Sequence, residues 1–163
     1  MPITYEPIAT QDITGSSSVT FSSIPSTYTD LKIVFVSKGH PSFYPTVDMI
    51  FNGDTASNYS RTFMYGNGSS VASSRSTNQT RIAIAAHIAI QEEYSLFEID
   101  IFNYAGSTNK TVLFSNAQQN SGGNAVTRGV GLWRNTSAIT SINLSTTTWF
   151  YEGTASLYGI KGA

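Results

Sequence analysis

The sequence predicts an all-β protein, a jelly-roll-like antiparallel β-sandwich of about ten strands, and three observations support this prediction. Apolar residues recur with a spacing of two, turn signals separate the apolar segments, and no stretch has the periodicity of an amphipathic helix. The chain of 163 residues has the length of one domain. We therefore expect a single β-sandwich domain over residues 1–163, in which residues 1–12 form an extended N-terminal arm or an edge strand.

Composition favours the same fold class and limits the possible partners. Charged residues make up 12% of the chain, hydrophobic residues 40%, and the formal net charge is −1. Nucleic-acid binding needs clustered basic residues, and a membrane helix needs roughly 18 consecutive apolar residues. Neither pattern is present, so we expect no nucleic-acid and no membrane partner. Without cysteine, disulfides and thiolate chemistry are excluded.

The first third of the chain divides into short strands separated by turns. Pro7 lacks a backbone donor, which places the segment around it at a sheet edge. Leu31–Val36 is a nearly continuous apolar run and indicates a central strand that is buried on both faces. Val47–Phe51 is the next strand, and Asn52-Gly53 is a turn signal that requires positive φ.

The middle of the chain contains the clearest strand and the longest segment without a pattern. Tyr59–Tyr65 alternates as a strand, but Gly66–Thr80 has no apolar periodicity and is predicted to be a long loop. The spacing of Ile82 and Ile84 favours strand again. Tyr94–Asn103 alternates most regularly, so that its aliphatic and acidic side chains are expected on opposite faces.

Two strands near the C-terminus are predicted to pair as a hairpin. Ala125–Arg134 carries apolar residues between small ones, and Ile142 and Leu144 are two apart on the return strand. Glycine inside a strand marks a bulge or a close approach, so we expect Gly129 and Gly131 to make room for aromatic side chains. Trp133 is then expected to anchor the core.

Candidate catalytic and metal-binding residues are few. Glu98 and Asp100 are two apart on one strand face, within the separation that glycosidases need, but carboxylate pairs of that kind flank a cleft, so we expect these two to face solvent. A metal site would have to combine His40 and His87 with a carboxylate such as Asp48. We expect structural or exposed histidines instead, and no enzyme activity and no cofactor.

The aromatic segment 147–153 is the candidate contact site. Trp149, Phe150 and Tyr151 occur in a chain of low charge, and aromatic residues are enriched in protein interfaces. Stacking of sugars on exposed aromatic faces is the alternative for these residues. We favour a protein interface for this segment.

Segments along nearly the whole chain resemble a group of small virion structural proteins of tailed bacteriophages. The segments, in chain order, are Tyr5–Thr10, Val19–Pro25, Tyr28–Leu31, Phe51–Asp54, Asn58–Ser60, Tyr65–Gly68, Gly129–Arg134 and Leu157–Lys161. They are turn and packing motifs, so the resemblance implies a fold and a setting rather than a mechanism. It implies a β-sandwich on the exterior of the virion, assembled in the cytoplasm of the bacterial host.

Within that setting we expect a non-enzymatic capsid decoration or cement protein that acts as a homotrimer. Its partners would be other copies of itself and the major capsid protein or another virion protein. The expected interface residues are Tyr5, Pro7, Ile8, Trp149, Phe150 and Tyr151. The alternative is a tail-fibre or receptor-binding component that recognises host glycans. Its expected contact residues are Tyr65, Asn67, Arg75 and Trp149.

Overall fold

The structure is a computed structural model, and it describes residues 4–40, 46–85, 93–120 and 123–162. Within these ranges every regular element is a β-strand, and the strands form two antiparallel sheets. The strands are β1 Thr4–Asp12, β2 Ser18–Phe21, β3 Asp30–Lys38, β4 Val47–Phe51, β5 Tyr59–Gly66, β6 Val71–Gln79, β7 Ile82–Ala85, β8 Ser95–Phe102, β9 Lys110–Asn120, β10 Gly123–Trp133, β11 Ile142–Thr146 and β12 Glu152–Lys161. The predicted β-sandwich is confirmed.

The strand order is that of a jelly roll with two added hairpins. One sheet has eight strands in the order β1-β12-β3-β8-β9-β10-β5-β6, and the other has four in the order β2-β11-β4-β7. The four strands β1-β12-β3-β8 and the smaller sheet make the eight-stranded double sheet of a jelly roll. The hairpins β5–β6 and β9–β10 extend the larger sheet, and of their four strands only β6 was not predicted from the sequence.

The core lies between the two sheets and is apolar. The inner face of the larger sheet is formed by alternate residues of its strands, which are almost fully buried; examples are Leu31, Ile33, Phe35, Phe97, Ile99, Ile101, Val112 and Phe114. At one end of the core, Trp133 is 1% exposed and stacks with Tyr59 at 6.2 Å between ring centroids. Its indole nitrogen donates to the Asp54 carboxylate at 2.8 Å. The prediction that Trp133 anchors the core is confirmed.

The outer face of the larger sheet is the side turned away from the smaller sheet. Lys32, Val34 and Val36 of β3 lie on this face and are partly exposed. The prediction that Leu31–Val36 is buried on both faces is therefore wrong for a single chain, although β3 is an internal strand. Glu98 and Asp100 also lie on the outer face, where both are ion-paired to Lys32 at 3.4 and 3.2 Å.

Two predictions about strand pairing and loops are corrected. β10 and β11 do not form a hairpin: β10 pairs with β9 and β5, whereas β11 lies in the smaller sheet between β2 and β4. The segment 66–80 is not a long loop, because Val71–Gln79 forms the edge strand β6. Ile82 and Ile84 lie in β7 as predicted, whereas Ala86, His87, Ile88 and Ile90 lie outside the described residues.

The two glycines of β10 face inward, but only one of them packs against an aromatic ring. A Cβ on Gly129 would lie 2.3 Å from Cζ of Phe114 and 2.7 Å from Cβ of Phe63. A Cβ on Gly131 would instead meet Cδ1 of Ile82 at 2.8 Å. The expectation of room for aromatic packing is confirmed at Gly129 and wrong at Gly131.

Candidate functional site

Residues 147–151 hold two exposed aromatic side chains on either side of a buried one. Phe150 is fully buried and packs edge-on against Phe35 at 5.2 Å between centroids. Trp149 and Tyr151 are 44% and 38% exposed. Phe150 therefore anchors the segment, and its prediction as an intermolecular contact is corrected, because its side chain is part of the core of its own chain.

Backbone hydrogen bonds fix this segment on both sides. The Phe150 N–H donates to the carbonyl of Ser16 at 2.8 Å, and the Phe150 carbonyl accepts from Gly15 N–H at 2.8 Å. The Tyr151 N–H donates to the Lys38 carbonyl at 3.0 Å. Little conformational entropy remains to be lost on binding, because the backbone is already ordered.

A network of charged and aromatic residues lies next to this segment, at the end of β3 and the start of β12. The two carboxylate oxygens of Glu152 accept from Lys38 Nζ at 2.9 Å and from the Tyr94 hydroxyl at 2.8 Å. Lys38 also lies 4.6 Å from the centre of the Tyr94 ring. His40 meets Trp149 edge-on at 4.3 Å between centroids. We call Lys38, His40, Tyr94, Trp149, Tyr151 and Glu152 the aromatic corner.

The charges of the aromatic corner stabilise one another. The hydrogen bonds from Lys38 and Tyr94 lower the pKa of Glu152. The bond to Glu152 raises the pKa of Lys38 and of Tyr94. At neutral pH Glu152 is therefore an anion and Lys38 a cation, and Tyr94 keeps its hydroxyl proton.

A groove of about 530 Å³ opens beside the aromatic corner on the outer face. Its polar lining combines two carboxylates with two threonine hydroxyls, and the Tyr94 ring, 49% exposed, forms one wall. Its lining residues are Asp12, Thr14, Val36, Tyr94, Glu152, Gly153 and Thr154. Oxygen acceptors next to an exposed ring can bind hydroxyl-rich molecules by hydrogen bonds and stacking.

The N-terminal candidate residues lie on β1, which is an edge strand and not a free arm. β1 pairs with β12, with an irregularity between Pro7 and Ala9. Tyr5 is 57% exposed and Pro7 is exposed, so both are accessible to a partner. Ile8 is partly buried and packs against the core. Part of its side chain is still accessible, so its role as an interface residue stays a prediction.

The residues predicted for glycan binding are not brought together. Tyr65 lies on the inner face of β5, four strands and about 19 Å from Phe35, the residue against which Phe150 packs. Arg75 pairs with Thr62 and points to the outer face. The Asn67 side-chain oxygen accepts from the N–H groups of Ser69 and Ser70 at 3.0 and 2.8 Å, so it caps a turn.

The predicted metal-site residues are also dispersed. Asp48 is 9% exposed and pairs with Arg81 at 3.5 Å, and burial raises its pKa. His40 contacts Trp149, and His87 lies outside the described residues. Within the described ranges, no group of three or more His, Cys, Asp or Glu side chains could hold a metal ion. The described part of the chain also contains no helix that is long and apolar enough to cross a membrane.

Fold and site together define a jelly-roll β-sandwich with an exposed aromatic corner. No protein family and no curated protein matches the chain. Among solved structures, it is similar to a crystal structure described as HCR/D-Sa-GBL1/C, with 12% identity and a TM-score of 0.29, over 98% of this chain and 42% of that one. It is also similar to the CBM2 module of the evolved Dit of Lactobacillus casei BL23 phage J-1, with 9% identity and a TM-score of 0.19, over 100% of this chain and 81% of that one.

Proposed function

We propose that this chain is a non-enzymatic structural protein of a bacteriophage virion, a decoration or cement protein on the exterior of the head. The resemblance in its turn and packing motifs supplies the setting. The aromatic corner and the exposed residues of edge strand β1 supply the contacts with the major capsid protein or another virion protein. Assembly takes place in the cytoplasm of the bacterial host.

The rigid presentation of Trp149 and Tyr151 is the observation that carries this proposal. Exposed aromatic side chains on an ordered backbone bury a large area at little entropic cost. Phe150 ties them to the core between the two sheets. A protein that stabilises particles against heat needs contact residues that are firmly connected to its folded core, and Phe150 provides this connection for Trp149 and Tyr151.

The placement of the candidate pair Glu98 and Asp100 supports a non-enzymatic role. Glu98 and Asp100 share Lys32 on an open sheet face and do not flank a cleft. Glu152 is held by Lys38 and Tyr94. Lys32 offsets one of the two charges of Glu98 and Asp100, and Lys38 offsets the charge of Glu152, as expected of groups that stabilise a surface.

The test is attachment of the protein to particles that lack it. Wild-type protein should bind to purified particles and raise their resistance to heat and low salt. Trp149→Ala with Tyr151→Ala should reduce binding at least tenfold while Phe150 keeps the fold intact. Tyr65→Ala is the matched control, because it removes an exposed aromatic ring from β5, four strands away from β3 in the larger sheet. Equal binding of all variants, or particles whose stability does not depend on the protein, would refute the proposal.

The number of copies per virion decides between head and tail. A head decoration protein should be present in numbers comparable with the major capsid protein on a stained gel of purified virions. A much lower number would place the chain in the tail. The same preparation, cross-linked before electrophoresis, tests the expected homotrimer, which remains a prediction.

A second function, glycan recognition by a tail component, is favoured by the groove beside the aromatic corner. Its exposed Tyr94 ring and its carboxylate and hydroxyl lining suit a saccharide. Tyr94→Ala should abolish binding on a glycan array and should leave the thermal midpoint within a few degrees. Failure of the wild-type protein to bind any glycan, or host adsorption by virions without the protein, would exclude this function.

A further inference from the structure

The outer face of the larger sheet carries an apolar surface that no part of the described chain covers. The large apolar side chains exposed on this face are Met64 at 59%, Val71 at 81%, Leu96 at 43%, Phe102 at 42%, Val126 at 59% and Val130 at 43%. They lie on β8, β10, β5 and β6, and β9, between β8 and β10, carries Leu113 and Ala117 on the same face. Contiguous apolar surfaces of this kind mark interaction sites on soluble proteins.

The strand registers place the residues of this face in rows, and in two of these rows the residues on either side of β9 are alike or opposite in charge. In one row Leu96 and Val126 lie on either side of Ala117. In the next row Glu98 and Arg128 lie on either side of Ser115. Since β8 and β10 both pair with β9, each of these flanking residues is one strand spacing, about 4.8 Å, from the central residue.

We propose that a second copy of this chain covers the outer face, packed face to face about a two-fold axis that runs along β9. Such an axis lies between the larger sheets of the two copies. It places β8 of one copy opposite β10 of the other, and β3 opposite β5. It places Leu96 opposite Val126 of the second copy, and Glu98 opposite Arg128 of the second copy. The contact is isologous, so each of these pairs occurs twice.

Charge complementarity supports this occupant. Arg128 is exposed and has no ion pair among the residues that the structure describes, while Glu98 is paired with Lys32 at 3.4 Å. Stacked sheets lie about 10 Å apart, a distance that a glutamate and an arginine span together. Glu98 and Arg128, the acid and the base of these two rows, are thus each opposite the other's counterpart in the second copy under the two-fold axis.

The apolar residues of the neighbouring strands match in the same way. The axis brings Val34 of β3 opposite Met64 of β5 in the second copy, because both lie in the row of Glu98 and Arg128. It brings Val36 opposite Gly66. In this dimer the apolar residues of β3 are buried on both faces of the strand, as the sequence of Leu31–Val36 predicts.

The dimensions of the face suit a stable interface. Eight strands at about 4.8 Å make it about 38 Å wide, and a standard interface buries roughly 800 Å² of each partner. Five central strands with three or four outward residues each supply an area of that order. The aromatic corner lies at the margin of this face and stays available to another virion protein.

This inference rests on the proposed function, in which copies of the chain are partners of one another, but it makes the pair a two-fold dimer in place of the expected homotrimer. Its test is independent of the virion. Sedimentation equilibrium of the purified chain should give twice the monomer mass of 17.6 kDa. Arg128→Glu should weaken association at least tenfold, because Glu98 then faces a glutamate of the second copy. Adding Glu98→Arg to that variant should restore association to within a few-fold of wild type.

Lys161→Glu is the matched control, because it changes the net charge equally and lies away from the outer face. It should associate as wild type does, and circular dichroism should show that all variants fold. A monomer at every concentration, a trimer mass, or a double variant that is no better than Arg128→Glu would overturn the inference. None of these outcomes bears on attachment to particles through the aromatic corner.

Discussion

The two faces of the eight-stranded sheet are built from alternating residues of the same strands but have different environments. On β8, Phe97, Ile99 and Ile101 are no more than 1% exposed, whereas Leu96 and Glu98 between them are open to solvent. The inner face is filled by side chains of its own chain. The outer face has a comparable supply of apolar residues, interrupted by Lys32, Glu98, Asp100 and Arg128.

This difference separates residues that fold the chain from residues that are available to a partner. Inner residues that lie between the two sheets are packed on all sides, so that their loss leaves a cavity. Outer residues of similar hydrophobicity contribute little to the stability of the single chain. Substitutions on the two faces should therefore divide clearly into effects on unfolding and effects on association.

The largest contrast is expected between neighbours on β8. Phe97→Ala removes a ring stacked on Phe35 at 4.6 Å and should cost about 3–5 kcal/mol of unfolding free energy. Leu96→Ala should cost less than about 1 kcal/mol, because its side chain is 43% exposed. Urea unfolding of dilute protein measures both, and similar costs would remove the distinction between the faces.

Overpacking of the inner face should have the next largest effect. Gly129→Ala puts a methyl group against the Phe114 ring and the Phe63 Cβ and should cost about 1–3 kcal/mol. Gly131→Ala meets the flexible end of Ile82 and should cost less. Thermal unfolding of the two variants should rank them in this order. The reverse order would mean that Phe114 moves more easily than Ile82.

Asp54 provides a pH test at the end of the core. Its pKa is lowered from its ordinary value near 3.8 by hydrogen bonds from the Asn58 side chain, Ala56 N–H and the Trp133 indole. The folded state therefore holds fewer protons than the unfolded state below about pH 4. The stability that Asp54 contributes is present above that pH and is lost as pH falls through the lowered value.

Asp54→Asn should cost about 1 kcal/mol at pH 7, where it replaces a charged acceptor by a neutral one. It should also flatten the acid side of the stability profile, measured by urea unfolding between pH 3 and 7. A variant with an unchanged acid profile would assign the acid sensitivity to other carboxylates.

The smallest effect is expected for the ion pairs of the outer face. Lys32→Met removes the partner of Glu98 and Asp100 and should cost about 0.5 kcal/mol, because exposed ion pairs contribute little. The difference from wild type should shrink in high salt. A loss above about 2 kcal/mol would show that the outer face, too, is part of the folding core.

The strands were predictable from local pattern, but their partners were not. The alternation in β8 and the isoleucines of β7 identified strands, because one face of each is buried. The pairing of β10 with β11 was predicted from their proximity in sequence, yet β10 pairs with β5, which begins at Tyr59, far away in the chain. In a jelly roll, strands that are consecutive in sequence often lie in different sheets, and the local sequence pattern does not indicate this.

Strand β6 was missed for a different physical reason. It is an edge strand whose residues are mostly exposed. Because neither face of β6 is buried, its serine-rich sequence shows no alternation of apolar and polar residues. The aromatic corner was found in part, through Trp149 and Tyr151. Tyr94 was missed, because it is far from Glu152 in sequence and only the fold brings the two together.

The two tryptophans report on different events, since Trp133 is 1% exposed and Trp149 is 44% exposed. The emission of Trp133 should shift to longer wavelength only when the sandwich unfolds and water reaches the indole. Trp149 is already exposed to solvent, and its burial by a bound partner should shift its emission to shorter wavelength. A Trp149→Phe protein and a Trp133→Phe protein, each with one remaining fluorophore, would let folding and attachment be followed separately in the same cuvette.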